Sequence, residues 1–144
     1  MDITGRTLSI LIPYKIAKKM VFVYLQKRAK DAVRLPDWFG YFGGGADEGE
    51  TPEETMLREI KEELSFVPVN YNYIGRYKLE ASHGTVNDYS VYSVAVDDTF
   101  ENNIKILEGD YGKFFTIDEA LTEPKFIKTD KIILRDFVNK LSNN

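Results

Sequence analysis

Three glutamates in one short segment have a spacing that could assemble a metal site. Glu59, Glu62 and Glu63 lie three and four residues apart, so a helix through them would carry all three carboxylates on one side. Like charges at this spacing cost roughly 0.2–0.5 kcal/mol per pair even when exposed, and partial burial raises the cost. A cation should therefore compensate them, and carboxylate oxygens suit hard ions such as Mg²⁺ or Mn²⁺.

This acidic stripe has two interpretations. It could be a solvated helix face, eased by Arg58 and Lys61, or it could bind a divalent metal ion. Three features favour the metal site. The stripe borders the apolar edge of the predicted helix, three glycines at 43–45 precede that helix, and Glu50 in the intervening turn could bring a fourth carboxylate to the same place.

The helix that must position these carboxylates has the strongest sequence signals of any element in the chain. Thr51 suits the N-cap, Pro52 suits the first helical position, and Glu54 completes a capping box. We expect the helix to end near Phe66, before Pro68. Its apolar residues recur at helical spacing; they are Met56, Leu57, Ile60 and Leu64.

Short apolar, β-branched or aromatic runs elsewhere predict strands, over 7–14, 20–26, 38–42, 69–79, 89–96 and 113–117. We expect the glycines at 43–45 to break the third strand, a polar loop over 97–103, and one helical turn over 118–121. A last helix is predicted over 130–141, with Thr129 as its N-cap; its inward residues would be Ile133, Leu134, Phe137, Val138 and Leu141. Interleaved strands and helices predict an α/β fold with a mixed sheet between helices.

The composition narrows the class of protein. With 144 residues, 43% of them hydrophobic, the chain fits a single domain over 1–144 with a sizeable core. It has no cysteine and one histidine, which excludes thiol catalysis and His-cluster zinc sites. The net charge of -4 argues against a dedicated nucleic-acid binder. No apolar run is long enough for a membrane span or a signal peptide, so we expect a cytoplasmic protein.

Residues 44–66 resemble the Nudix box, the signature of the Nudix hydrolase family. Its pattern is a glycine, five residues, a glutamate, seven residues, and then Arg-Glu-apolar-x-Glu-Glu-x-Gly-apolar. Here Gly44 and Glu50 are followed at those spacings by Arg58-Glu59-Ile60-Lys61-Glu62-Glu63-Leu64-Ser65-Phe66. The one departure is Ser65, which stands where the family usually has a glycine suited to a helix C-cap.

The resemblance implies an α/β/α sandwich with a mixed sheet. It also implies metal-dependent hydrolysis of a nucleoside diphosphate linked to another moiety, by attack of water on a phosphorus of the pyrophosphate. Glu59 would in addition be a candidate general base, and Arg58 would hold Glu50 and Glu59 in place. The implied ligands of Mg²⁺, or of Mn²⁺, are Glu59, Glu62, Glu63 and the main-chain carbonyl of Gly43 or Gly44.

The resemblance continues more thinly beyond the box. Family members often place one more glutamate on a loop just before a strand that opens with an aromatic residue, and 108–114 is similar to that segment. Glu108 is therefore a candidate metal ligand or base, the alternative being a loop glutamate with no role. Asp97, Asp98 and Glu101 are weaker candidates for the same task. His83, in an expected hairpin loop, is given no role.

The candidate substrate-binding residues lie before the box. Arg28 closes the second predicted strand, where it could contact a phosphate through its planar guanidinium or belong to an ordinary solvated pair with Lys27. Trp38 could stack on a base or sugar, or pack at the rim of the core. Gly43 and Gly44 complete the set.

The expected partner is a small-molecule nucleotide, with a nucleoside triphosphate or a nucleotide sugar favoured. Neither a membrane nor a stable nucleic-acid partner is expected. A homodimer is one oligomeric state that the sequence allows, because many relatives form one. The alternative function is a nucleotide-binding or regulatory domain that keeps the fold without hydrolysis, and the intact carboxylates count against it. The related isomerase branch, which acts on isoprenoid diphosphates, typically depends on a catalytic cysteine that this chain lacks.

Overall fold

The computed structural model describes residues 4–81 and 84–143, which form a seven-stranded mixed sheet with helices on both faces. The strands are β1 (Thr4–Ala17), β2 (Met20–Lys27), β3 (Phe39–Gly40), β4 (Phe42–Gly45), β5 (Asn72–Glu80), β6 (Val86–Ala95) and β7 (Tyr111–Thr116). The helices are α1 (Pro52–Leu64), α2 (Ile117–Thr122) and α3 (Lys128–Ser142), and a short 3₁₀ helix covers Phe100–Asn103. The α/β class and the mixed sheet predicted from the sequence are confirmed.

Strand β1 is the centre of the sheet. The strand order is β3-β2-β1-β6-β5, with β4 also paired to β1 and β7 to β2. β1 runs parallel to β6 and antiparallel to both β2 and β4. Its residues 8–11 pair with β4 and its last four residues pair with β2, so β4 and β2 follow one another along the same edge of β1.

Alternate side chains of β1 point to opposite faces of the sheet, as the two-residue period of a strand requires. Ile10 and Ile12 are buried against α3, together with Phe137. Leu11, between them, is buried against α1, together with Ile60. The sheet therefore separates two hydrophobic clusters, one under each long helix.

The predicted strand over 38–42 is interrupted at Tyr41, between β3 and β4, and not at the glycines of 43–45, which corrects the sequence prediction. The glycines continue β4, and Gly43 pairs with Ile10. Gly43 has φ 144°, and a Cβ there would lie 2.1 Å from the carbonyl oxygen of Ser9. Glycine is thus required because the backbones of β4 and β1 approach closely, a demand that the local sequence pattern does not show.

Helix α1 begins as predicted. Thr51 is the N-cap, and its side chain and that of Glu54 form the reciprocal capping box. The helix ends at Leu64, two residues before the predicted end. Ser65 follows in the left-handed conformation with φ 52°, and its N–H donates to the carbonyl oxygen of Lys61 at 2.9 Å.

Helix α3 begins earlier than predicted. Ile127 precedes its first residue, and Thr129, predicted as the N-cap, is buried in the first turn. The start is fixed by tertiary contacts, because Ile127 N–H donates to the carbonyl of Phe39 at 3.0 Å. The predicted loop over 97–103 similarly contains a 3₁₀ turn, whose Phe100 is buried against Tyr24. Among the described residues, no helix has both the length and the apolar character that crossing a membrane requires.

Candidate active site

Helix α1 presents two carboxylates to the glycines of β4. The Glu63 carboxylate accepts hydrogen bonds from Gly43 N–H, with distances of 2.8 Å to Oε1 and 3.3 Å to Oε2. Gly44 lies against Glu59, and a Cβ on Gly44 would be 2.4 Å from the Glu59 Cδ. The absence of side chains at these positions lets α1 approach the strand.

Arg58 joins the turn, the helix and the strand. Its Nε donates to Glu50 Oε2 at 2.7 Å, its Nη2 donates to the carbonyl of Gly45 at 3.0 Å, and its Nη1 donates to Glu59 Oε1 at 2.8 Å. Glu62 is a weaker partner at 3.4 Å. Arg58 thus has the contacts needed to fix Glu50 and Glu59, although the role itself stays a prediction.

Glu50 is held as an anion. Hydrogen bonds from Arg58, from Asp47 N–H and from the hydroxyl of Thr55 lower its pKa to about 2. Every donor in this set stabilises the charged form. Glu50 therefore acts as an anchor for Arg58 and for the start of α1.

Glu59 and Glu63, unlike Glu50, lie in an environment that disfavours the charged form of the carboxylate. Burial, together with the charges of Glu108 and Glu59, raises the pKa of Glu63 to about 8, against the opposing effect of the hydrogen bond from Gly43. Burial also raises the pKa of Glu59, while Arg58 opposes the shift. Carboxylates pushed towards protonation by burial and by one another are stabilised as anions by a cation.

These carboxylates line a cleft of about 1300 Å³. Of the residues predicted from the sequence, the cleft brings together Glu59, Glu63, Glu108, Arg28, Trp38, Gly43 and Gly44. Glu62 does not line it: its side chain is 49% exposed on the outer side of Arg58. The three carboxylates predicted to share one side therefore divide into two in the cleft and one outside it.

The weaker acidic candidates lie elsewhere. Asp97 accepts hydrogen bonds from Thr99, and Asp98 pairs with Lys15 at 3.1 Å. Neither they nor Glu101 line the cleft. His83 lies outside the described residues.

The comparison with protein-family models matches the NUDIX domain over residues 6–137. The chain therefore belongs to the NUDIX domain family. Nudix hydrolases in general use divalent metal ions. No curated protein matches the sequence.

Several solved structures share this NUDIX fold. The NUDIX domain of Shewanella oneidensis NrtR, complexed with ADP ribose, is 16% identical with a TM-score of 0.75, covering 96% of this chain and 89% of that one. A MutT NUDIX hydrolase from Burkholderia pseudomallei is 20% identical, with a TM-score of 0.70 and coverages of 91% and 96%. A C. elegans Ap4A hydrolase in a binary complex is 16% identical, with a TM-score of 0.73 and coverages of 97% and 100%. At these identities the likeness establishes the fold alone.

The donors in this NUDIX cleft fit a hard divalent cation. Within residues 4–81 and 84–143, no three or more His, Asp or Glu side chains are arranged as a ready-made metal site. Arg58 engages the Glu59 carboxylate that such a site would use. The oxygens of Glu59, Glu63 and Glu108 and the glycine carbonyls are nevertheless the ligand type that Mg²⁺ and Mn²⁺ prefer. Buried, mutually repelling carboxylates also call for positive charge.

Sequence reasoning missed several residues of the cleft. Arg6, Arg34 and Asp130 line it, although none of them belongs to a recognisable motif. Asp130 is buried at the start of α3 and accepts from Tyr41 N–H at 3.1 Å, and burial raises its pKa to about 7. No local pattern could have found them, because strand pairing and helix docking bring them to the cleft.

Proposed function

We propose that the protein is a metal-dependent Nudix-type pyrophosphohydrolase acting on a nucleoside diphosphate-linked substrate. The carrying observation is the pairing of Glu59 and Glu63 beside the glycines of β4, in the same cleft as Arg28. Carboxylates supply metal ligands and a base, and guanidinium groups bind phosphate. A nucleoside triphosphate or a nucleotide sugar is the favoured substrate.

The metal-holding residues in this proposal are Glu59, Glu62, Glu63, Glu108 and the main-chain carbonyl of Gly44. Mg²⁺ is the proposed ion, with Mn²⁺ as a substitute; when bound, such ions screen phosphate charge and lower the pKa of bound water. Glu62 would have to turn inward from Arg58 to take part. Its exposed side chain is free to do so at small cost.

The reaction follows from the roles of the chain's own residues. The oxygen of water forms a bond to phosphorus, the bridging P–O bond breaks, and its electron pair leaves with the bridging oxygen. The water proton passes to a carboxylate, for which Glu59 is our candidate and Glu108 the alternative. Arg58 keeps Glu59 oriented through Nη1, Arg28 contacts a phosphate, and Trp38 stacks on the base or the sugar.

A product-release screen tests the proposal. We would measure phosphate and nucleoside monophosphate release from nucleoside triphosphates, dinucleoside polyphosphates and nucleotide sugars, with Mg²⁺ and then with Mn²⁺. Glu63→Gln should lower kcat by at least about 100-fold, because even residues that only support a metal ligand are worth 10–100-fold. Glu48→Gln, on an exposed residue outside the cleft, is the matched control. Full activity of Glu63→Gln would refute the site assignment.

The second candidate function is a nucleotide-binding domain without hydrolysis. One observation favours it: an NrtR domain complexed with ADP ribose is among the proteins of this fold. Calorimetric titration with ADP-ribose and ATP discriminates the two functions. Tight binding with no product at any concentration of Mg²⁺ or Mn²⁺ would establish the second.

A further inference from the structure

Three arginines converge on the cleft from different parts of the chain. Arg6 lies on β1 beside β4, where a Cβ on Gly45 would be 2.9 Å from its Nη2. Arg28 follows β2, and its Nε donates to the carbonyl of Arg34 at 2.8 Å. All three residues line the cleft that holds Glu59.

No carboxylate forms a direct ion pair with these arginines within the part of the chain that the structure describes. Arg58 and Arg76 each form an ion pair with a carboxylate at 2.7 Å or less, whereas Arg6, Arg28 and Arg34 form none. They also repel one another. Burial and the charges of Arg34 and Arg28 lower the pKa of Arg6, while Glu59 opposes the shift. Guanidinium groups that lack a direct ion pair among the described residues are suited to an anionic ligand.

Strand β4 sets the arginines against the carboxylates. Along three successive residues of the strand, Gly43 contacts Glu63, Gly44 contacts Glu59 and Gly45 contacts Arg6. Gly44 and Gly45 face opposite sides of the sheet, as the two-residue period of a strand requires. Arg6 and Glu59 nevertheless line the same cleft, and the charge of Glu59 acts on Arg6. A ligand held at the carboxylates can therefore extend along this cleft towards the arginines.

We propose that Arg6, Arg28 and Arg34 bind a substrate phosphate that lies beyond the pyrophosphate cleaved at the carboxylates. The proposal rests on the proposed function and deepens it by naming the substrate class. Substrates with three or more linked phosphates would be preferred over a nucleoside diphosphate joined to an uncharged sugar. The planar guanidinium fork binds phosphate oxygens in pairs and gains much less from a sugar hydroxyl.

Substrate-dependent kinetics tests this preference. Arg6→Gln and Arg34→Gln change exposed side chains, so both variants should fold, and Arg135→Gln on the exposed side of α3 is the matched control. For ATP, kcat/KM should fall at least about tenfold in each cleft variant, the loss expected for a charged hydrogen bond. For ADP-glucose it should change less than about twofold. Equal losses on both substrates, or losses no larger than in Arg135→Gln, would overturn the proposal.

A dinucleoside tetraphosphate separates the two sources of the extra phosphate. It offers internal phosphates but no terminal one. If Arg6→Gln and Arg34→Gln lower kcat/KM for this substrate, the arginines bind internal phosphates. If the two variants lower kcat/KM for ATP alone, the arginines bind a terminal phosphate. Either result supports the proposal, whereas dependence with neither substrate overturns it.

A binding measurement keeps this proposal distinct from the hydrolase assignment. Trp38 is the single tryptophan of the chain and lines the cleft, so its emission can report titration with inorganic tripolyphosphate at constant ionic strength. Arg6→Gln and Arg34→Gln should each weaken binding at least about tenfold, and Arg135→Gln should not. If no substrate is hydrolysed but this dependence holds, the proposed function fails and the phosphate site stands. If a substrate is hydrolysed but the arginine variants bind tripolyphosphate as tightly as the wild type, the proposed function stands and the phosphate site fails.

Discussion

Alanine at Gly44 should lower turnover on the order of 100-fold while leaving the protein folded. A Cβ on Gly44 would lie 2.4 Å from the Glu59 Cδ and 2.5 and 2.7 Å from its two carboxylate oxygens. Ordinary contact begins at 3.4 Å, so the carboxylate has to move by about 1 Å, the difference between 3.4 and 2.4 Å. A displacement of about 1 Å in a catalytic group costs on the order of 100-fold in rate.

The stability of Gly44→Ala should stay close to that of the wild type. The clashing atoms are the far end of a flexible side chain, and the backbone of Gly44 is outside the left-handed region. The free energy of unfolding should therefore change by no more than about 1 kcal/mol. Gly43→Ala is different, because its Cβ would meet the backbone of Ser9 at φ 144°. We expect that variant to lose about 3 kcal/mol or more.

Urea unfolding and initial rates on the best substrate of the screen measure the two effects separately. Gly49→Ala is the control for backbone strain alone, since Gly49 has φ 82° with no atom within 4 Å of a Cβ. It should lose roughly 1–2 kcal/mol of stability and keep full activity per folded molecule. Wild-type turnover by a folded Gly44→Ala would refute the assignment of Glu59 to the catalytic site.

Three further variants test the surroundings of this site. Ser65→Gly should raise the free energy of unfolding by about 0.5–1 kcal/mol, because glycine adopts φ 52° without the cost that a side chain carries; thermal unfolding measures it, and a lower Tm would contradict the reasoning. Arg58→Lys should lower kcat about 10–100-fold, because lysine cannot donate to Glu50 and Glu59 at once; steady-state kinetics at unchanged KM would show it, and an unchanged kcat would contradict it. Burial raises the pKa of Asp130 in the folded state to about 7, from the ordinary aspartate value of 3.8, so the folded state binds this proton more tightly and stability should fall as pH rises from about 4 to 7, by up to about 4 kcal/mol. Urea unfolding at pH 5 and pH 8 should show a smaller loss in Asp130→Asn than in the wild type, the remainder coming from Glu63, whose pKa burial also raises, and equal pH dependence in both would contradict the reasoning.

Local signals account for the parts of the fold that the sequence predicted well. Both signals of α1, the capping box of Thr51 and Glu54 and the apolar stripe, lie within one segment. They can therefore be recognised in the sequence without knowledge of the fold. The box spacing likewise led to Glu59 and Glu63. The carboxylates could be predicted because the residues that arrange them are close neighbours in the chain.

Non-local pairing accounts for the parts that the sequence did not predict. The glycines of β4 looked like a break because their need for close approach comes from β1, more than thirty residues earlier. Arg6 and Asp130 reach the cleft from the two ends of the chain. Thr129 resembled a cap, but the contact of Ile127 with Phe39 decides where α3 begins.

The burial of Glu63 favours an enzyme over a domain that only binds nucleotides. Its side chain is 4% exposed, and burying a carboxylate opposes folding unless it is compensated. A binding domain could replace Glu63 with glutamine, keep an acceptor for Gly43 N–H and lose nothing, because the arginines of the cleft already attract phosphate. Because burial raises its pKa to about 8, Glu63 is charged at neutral pH only when a cation lies beside it, and the proposed metal-dependent reaction supplies that cation. The Gln variant should therefore be at least as stable as the wild type while inactive, and a variant that is both active and more stable would remove the reason for assigning hydrolysis.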